Sequence, residues 1–147
     1  MAHLSYRQRA FNTRLYSWTE EGPVTVGTLI VDDQDDIRLL IRVLIEAEDH
    51  GLYVSGEAAD GHEAVNLVRD LEPDVIVLDQ MMPGIDGLQT ADLIKQLRPN
   101  QVIILCSAYM DDKLREAALA AGITECMTKS SISEIGRRVR AVAARAS

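Results

Sequence analysis

A chain of 147 residues that is 47% hydrophobic is long enough for one globular domain with a substantial core, and two full domains would be a squeeze. Its formal net charge of -8 argues against non-specific binding to nucleic acid or to an anionic membrane surface. Cys106 and Cys126 lie in apolar runs without C-x-x-C spacing and read as reduced core residues. No apolar stretch reaches the roughly 18 residues of a spanning helix and no signal-peptide h-region is present, so a cytoplasmic protein is expected.

Residues 1–27 carry Tyr6, Phe11, Tyr16 and Trp18 among polar side chains without a clear period, and Glu21-Gly22-Pro23 punctuates them. They read as a flexible N-terminal extension, with a docking arm as the alternative, and residues 28–147 read as the domain proper. From Thr28 onward, short β-branched runs alternate with helix-period stretches, the pattern of a parallel sheet with crossover helices. Strands are predicted over residues 28–31, 53–56, 75–78, 102–106 and 123–127. Helices are predicted over residues 36–48, 61–71, 88–97, 112–121 and 132–144.

The third and fourth strands are nearly continuous apolar runs, which suits central strands covered on both faces. In the first helix Ile37, Leu40, Ile41, Leu44 and Ile45 fall on one side. The last helix is predicted to open on a capping box of Ser131 and Glu134 and to bury Ile132, Ile135, Val139 and Val142. Its Arg137, Arg138, Arg140 and Arg145 read as a solvated face. The chain ends soon after Ala144, and a single-domain protein is expected.

In an open parallel sheet, function gathers at the carboxyl ends of the strands. Asp32 and Asp33 follow the first predicted strand, Asp79 the third, Ser107 the fourth and Lys129 the fifth. If those four strands lie side by side, the side chains converge on one crevice. Three packed carboxylates repel unless a hard cation sits among them, and Mg²⁺ fits a few carboxylates with waters and phosphate oxygens. With the ion bound, Asp79 stays ionised and can attack phosphorus to give an aspartyl-phosphate. Lys129 can pair with that phosphate and the Ser107 hydroxyl can donate to it.

Each residue alone has a plainer reading. Asp32 and Asp33 could be acids favouring a helix dipole, Asp79 a cap of the turn to Pro83-Gly84, Ser107 a turn residue and Lys129 a surface lysine. Their conjunction at successive strand ends favours the phosphate site. No Walker loop and no G-x-G-x-x-G is present, and His3, His50 and His62 have no metal-ligand spacing or triad context.

Four blocks together resemble the receiver domain of bacterial two-component response regulators. They are Leu29-Ile30-Val31-Asp32-Asp33-Gln34, the run from Val75 through Asp79-Gln80-Met81-Met82-Pro83-Gly84-Ile85-Asp86-Gly87, Ile103-Ile104-Leu105-Cys106-Ser107-Ala108, and Ala121-Gly122 through Thr128-Lys129. The resemblance implies a flavodoxin-like, doubly wound α/β fold with a five-stranded parallel sheet and five helices. It implies phosphotransfer to Asp79 from a histidine kinase or histidine phosphotransfer protein, with Mg²⁺ as cofactor. Asp33 and Asp79 would bind the metal directly, Asp32 mainly through water and Met81 through its main-chain carbonyl. Ser107 and Lys129 would be the switch hydroxyl and phosphate-binding lysine, with Ala108 leaving room for the phosphoryl group. Such a domain is a phosphoacceptor rather than an enzyme, with slow self-dephosphorylation by water.

Phosphorylation would then shift the fourth and fifth helices and the last strand, altering affinity for a downstream protein. Direct DNA binding is not expected, and a homodimer is left open. Two departures stand on the output side. Cys126 occupies the place of the family's aromatic switch residue, for which Tyr109 is the candidate substitute. Ser130 stands where a cis proline usually follows the lysine, so a trans loop with a displaced lysine is anticipated. Those departures keep open a non-switching receiver-like scaffold, and a receiver fragment of a DNA-binding regulator is the further alternative. A haloacid-dehalogenase-like phosphatase would want a second aspartate two residues beyond the nucleophile, where Met81 stands.

Overall fold

The computed structural model describes residues 18–19, 22–23, 25–48 and 51–146. Most of the expected N-terminal extension lies outside the described residues. Within it, Trp18–Thr19 pairs antiparallel with Gly22–Pro23.

Five strands follow, β1 (Val26–Val31), β2 (Leu52–Ala58), β3 (Val75–Asp79), β4 (Val102–Ser107) and β5 (Glu125–Thr128). They form one parallel sheet in the order β2-β1-β3-β4-β5. Five helices connect and complete it, α1 (Asp35–Ala47), α2 (Gly61–Leu71), α3 (Gly87–Leu97), α4 (Asp112–Ala120) and α5 (Ile135–Ala146). This is the flavodoxin-like receiver fold. It sets β1, β3, β4 and β5 side by side, with the chain reversing direction across the sheet between β1 and β3.

Alternation along the strands divides the core in two. Leu29, Ile76, Leu78, Ile103 and Leu105 face α2, α3 and α4, whereas Ile30, Val75, Val77 and Ile104 face α1 and α5. Every residue of β3 and β4 is buried, as continuous apolar central strands require. Each fully buried Leu or Ile contributes about 1.5–3 kcal/mol from lost water contact. Edge strand β2 is only half-buried, and its register with β1 slips at Thr28/Leu29.

Two boundaries differ from expectation for local reasons. Strand β5 begins at Glu125 rather than at residue 123, because α4 ends in a paired-carbonyl stop that captures the next residues. Gly122 N–H donates to Leu119 O and Ile123 N–H to Ala118 O, each at 3.0 Å, with Gly122 at φ +82°. Helix α5 begins at Ile135, not Ile132, because Lys129–Glu134 forms a 3₁₀ helix interrupted at Ser131 (φ -102°, ψ 18°). The Ser131–Glu134 capping box therefore does not form. Glu134 pairs instead with Arg138 at 3.5 Å.

The arginines of α5 are not a uniformly solvated face either. Arg138 reaches Glu125 on β5 at 2.9 Å and Arg140 reaches Glu48 beyond α1 at 3.3 Å. Cys106 is buried in the core as expected, but Cys126 is only half-buried. Among the described residues no helix is long and apolar enough to cross a membrane.

Candidate functional site

Sheet register decides which side chains meet. Val31 pairs with Leu78, Asp79 with Cys106, Cys106 with Met127, and Ser107 with Thr128. The residues that follow these pairs therefore leave the sheet along one edge. The structure brings Asp32, Asp33 and Asp79 together there, one ligand oxygen from each lying within 4.8 Å of the others. Lys129 joins them from the end of β5, its Nζ 2.9 Å from Asp32 Oδ2 and 3.1 Å from Asp79 Oδ1. All peptide bonds described are trans. The lysine reaches the carboxylates without the proline turn, so the anticipated displacement is not seen. A 2.7 Å hydroxyl bond between Thr128 and Ser130 closes the turn around it.

The acids are held differently. Asp32 is 1% exposed; its Oδ1 accepts from Gln34 N–H at 2.9 Å, and its own N–H donates to Ala58 O. Asp33 is exposed. The acids that begin α1 and favour its dipole are Asp35 and Asp36, so neither Asp32 nor Asp33 fills that plainer role.

Asp79, 2% exposed, accepts from Met81 N–H at 3.3 Å. Burial and the neighbouring Asp32 push its carboxyl above the ordinary range, with Lys129 and the Met81 N–H pulling it back. Burial lowers the Lys129 pKa, but its bonds to Asp32 and Asp79 outweigh that and raise it overall. Cys106 beside Asp79 is pushed up to about 12 by burial, which leaves its thiol inert.

The turn after Asp79 explains its unusual composition. Gly84 sits at φ +80°, a left-handed conformation that favours glycine. A Cβ on Gly87 would stand 2.5 Å from Asp79 O and 2.8 Å from Gln80 Cα, so α3 can start this close to β3 only on a glycine. Asp86 and Gln89 form the capping box of α3, and Gln80 Oε1 accepts from Leu88 N–H at 3.0 Å. The backbone presenting Asp79 is thus tied to the start of α3.

Ser107 is buried at the end of β4, Ala108 is exposed, and the Met81 side chain is 70% exposed at the mouth. Tyr109, the candidate substitute for the missing aromatic, is 86% exposed. Cys126 instead lines a groove of about 480 Å³ with Leu119, Ile123, Arg115 and Arg138 between α4 and α5. Sequence reasoning missed Gln80, Asp86, Gln89 and Arg38. The motif around Asp79 flagged Gln80 and Asp86 only as part of a block and stopped short of Gln89, and the one local signal for Arg38 is its i,i+3 spacing from Asp35.

Three convergent carboxylates with oxygen-only donors fit a hard divalent cation better than a softer one. A doubly wound sheet with such a strand-end acid cluster and a facing lysine defines the receiver class of signalling domain. The sequence profile of the response regulator receiver domain matches residues 28–140, and the chain belongs to that family. It is 33% identical over 117 residues to the transcriptional regulatory protein LiaR of Bacillus subtilis, covering 79% of this chain and 55% of that one. The chain thus spans about half the length of the curated relatives it matches.

Among solved structures, a LuxR-family two-component response regulator from Aurantimonas superposes with TM-score 0.79 at 31% identity. That match covers 83% of this chain and 87% of the other. A CheX-CheY-BeF3-Mg+2 complex from Borrelia burgdorferi superposes with TM-score 0.77 at 25% identity, covering 85% and 94%.

Proposed function

We propose that Asp79 accepts a phosphoryl group from a phosphohistidine on a histidine kinase or phosphotransfer protein, and that the phosphorylated domain changes its affinity for a downstream protein. The observation that carries this reading is a buried carboxylate at a strand end, inside a three-acid cluster and 3.1 Å from a lysine ammonium. An Asp79 oxygen bonds to phosphorus as the donor's P–N bond breaks, and the imidazole nitrogen leaves with the bonding pair. Lys129 holds the phosphoryl oxygens as a point charge, and Ser107 donates its hydroxyl to one of them. Ala108 leaves space beside it.

Asp32, Asp33, Asp79 and the Met81 main-chain carbonyl would hold Mg²⁺. The ion supplies charge neutralisation for the phosphoryl oxygens and lets the acids stay ionised together. The Borrelia CheY complex, which holds Mg+2 and BeF3, supports this by likeness. The action is that of a phosphoacceptor working on proteins in the cytoplasm, with slow hydrolysis of its own phosphoryl group.

The test is incubation with acetyl phosphate and Mg²⁺ followed by intact mass. A gain of one phosphate that is absent in Asp79→Ala and absent without metal is the expected result. No gain with any phosphodonor overturns the proposal. The half-buried Cys126 and exposed Tyr109 favour one second reading, a receiver-shaped scaffold that binds without switching.

A further inference from the structure

The loop that carries Asp32 and Asp33 is held from outside the acid cluster. Arg38, one turn into α1, turns its guanidinium back along the helix and keeps only 15% of its side chain exposed. One arm, Nη1, donates to the main-chain carbonyl of Asp32 at 2.6 Å. Nε donates to Glu57 Oε1 on edge strand β2 at 3.1 Å, and Nη2 pairs with Asp35 at the first turn of α1. Glu57 is itself fixed by Arg42, whose Nη2 lies 2.6 Å from Oε2. From the other side, Asp32 N–H donates to Ala58 O at 3.1 Å. The segment between β1 and α1 is therefore pinned to β2 by a side chain above and a backbone bond below.

We infer that Arg38 is a positioning residue that fixes the Asp32–Asp33 segment at the spacing a small ion demands, and so selects Mg²⁺ over Ca²⁺. This rests on the metal-site reading above. A planar guanidinium fills three acceptors in a fixed fork, which no flexible ammonium can do. Mg²⁺ requires near-ideal octahedral geometry at short distances, whereas Ca²⁺ accepts longer bonds and variable coordination. Loosening the clamp therefore weakens the smaller ion more. Arg38 touches no acidic oxygen of the cluster that binds metal in this reading; it acts through the Asp32 backbone.

Calorimetric titration of the full chain with Mg²⁺ and separately with Ca²⁺ tests this, alongside the melting temperature of each variant. For Arg38→Ala, Mg²⁺ affinity should fall about tenfold or more, the usual scale for residues supporting a metal's ligands, with Ca²⁺ affinity changing much less. Arg38→Lys keeps the charge but not the fork and should show the same selective loss if Arg38→Ala does not fold. Arg98→Ala, which breaks an ion pair with Glu72 and shares no partner with Arg38, should leave the ratio of the two affinities unaltered. If the unaltered chain binds no Mg²⁺, the metal-site reading itself fails. If it binds Mg²⁺ and both Arg38 variants keep the ratio, the clamp is overturned.

Discussion

The carboxyl ends of β1 and β3 and the outer edge at β5 are built from the same sheet, yet they are packed in opposite ways. At β1 and β3 the functional acids Asp32 and Asp79 are buried and tied by backbone bonds, and the turn after Asp79 admits only glycine at position 87. At β5 the chain is half-buried, Cys126 faces an open groove, and the link to α5 is a broken 3₁₀ helix. In the switch proposed above this difference has a use, because a partly covered edge repacks at lower cost than a fully buried strand end. Lys129 joins the two regions, rooted at the partly covered edge with its charge among the buried acids.

The first way to break this contrast is to remove that joint. Lys129→Ala should slow phosphorylation by acetyl phosphate roughly 100-fold, followed by intact mass over time, because the positive charge aimed at the phosphoryl oxygens is gone. Gly87→Ala comes next. Its methyl would push against Asp79 O, so chemical denaturation should show a loss of about 2 kcal/mol and slower phosphorylation together.

Asp79→Asn should act the other way on stability. The folded-state carboxyl is raised by burial and Asp32, so the folded chain binds that proton more tightly than the unfolded chain does. Its contribution is present in full at acid pH and is lost as pH rises through the raised value. Without metal at neutral pH, Asp79→Asn should therefore raise the melting temperature by the equivalent of about 1 kcal/mol, and the gain should vanish in acid. The smallest expected effect sharpens the comparison most. Cys126→Tyr fills the groove and should leave the phosphorylation rate within about twofold, since it touches none of the acids.

What the residues revealed in advance follows the same division. The five-stranded alternation was legible because buried central strands such as β3 and β4 need unbroken apolar runs. The acids and Lys129 were legible because strand ends are fixed points once the strand order places β1, β3, β4 and β5 together. The start of β5 was not, because the helix stop at Gly122 captures Ile123 through backbone bonds that no side-chain pattern records. Ser131 looked like a helix cap by type, but the hydroxyl bond between Thr128 and Ser130 forms a tighter turn first. The i,i+3 spacing of Asp35 and Arg38 was readable, but the clamp was not, because its other acceptors are a main-chain oxygen and a glutamate 19 residues away.

The central claim is that Asp79, and no other acid in the cluster, carries the phosphoryl group. Borohydride reduction of the acetyl phosphate-treated protein converts an acyl phosphate to homoserine, and peptide mass mapping then locates it. The account predicts homoserine at position 79 in the presence of Mg²⁺. Homoserine at position 32 or 33, or none anywhere in a protein that has gained a phosphate, would contradict it.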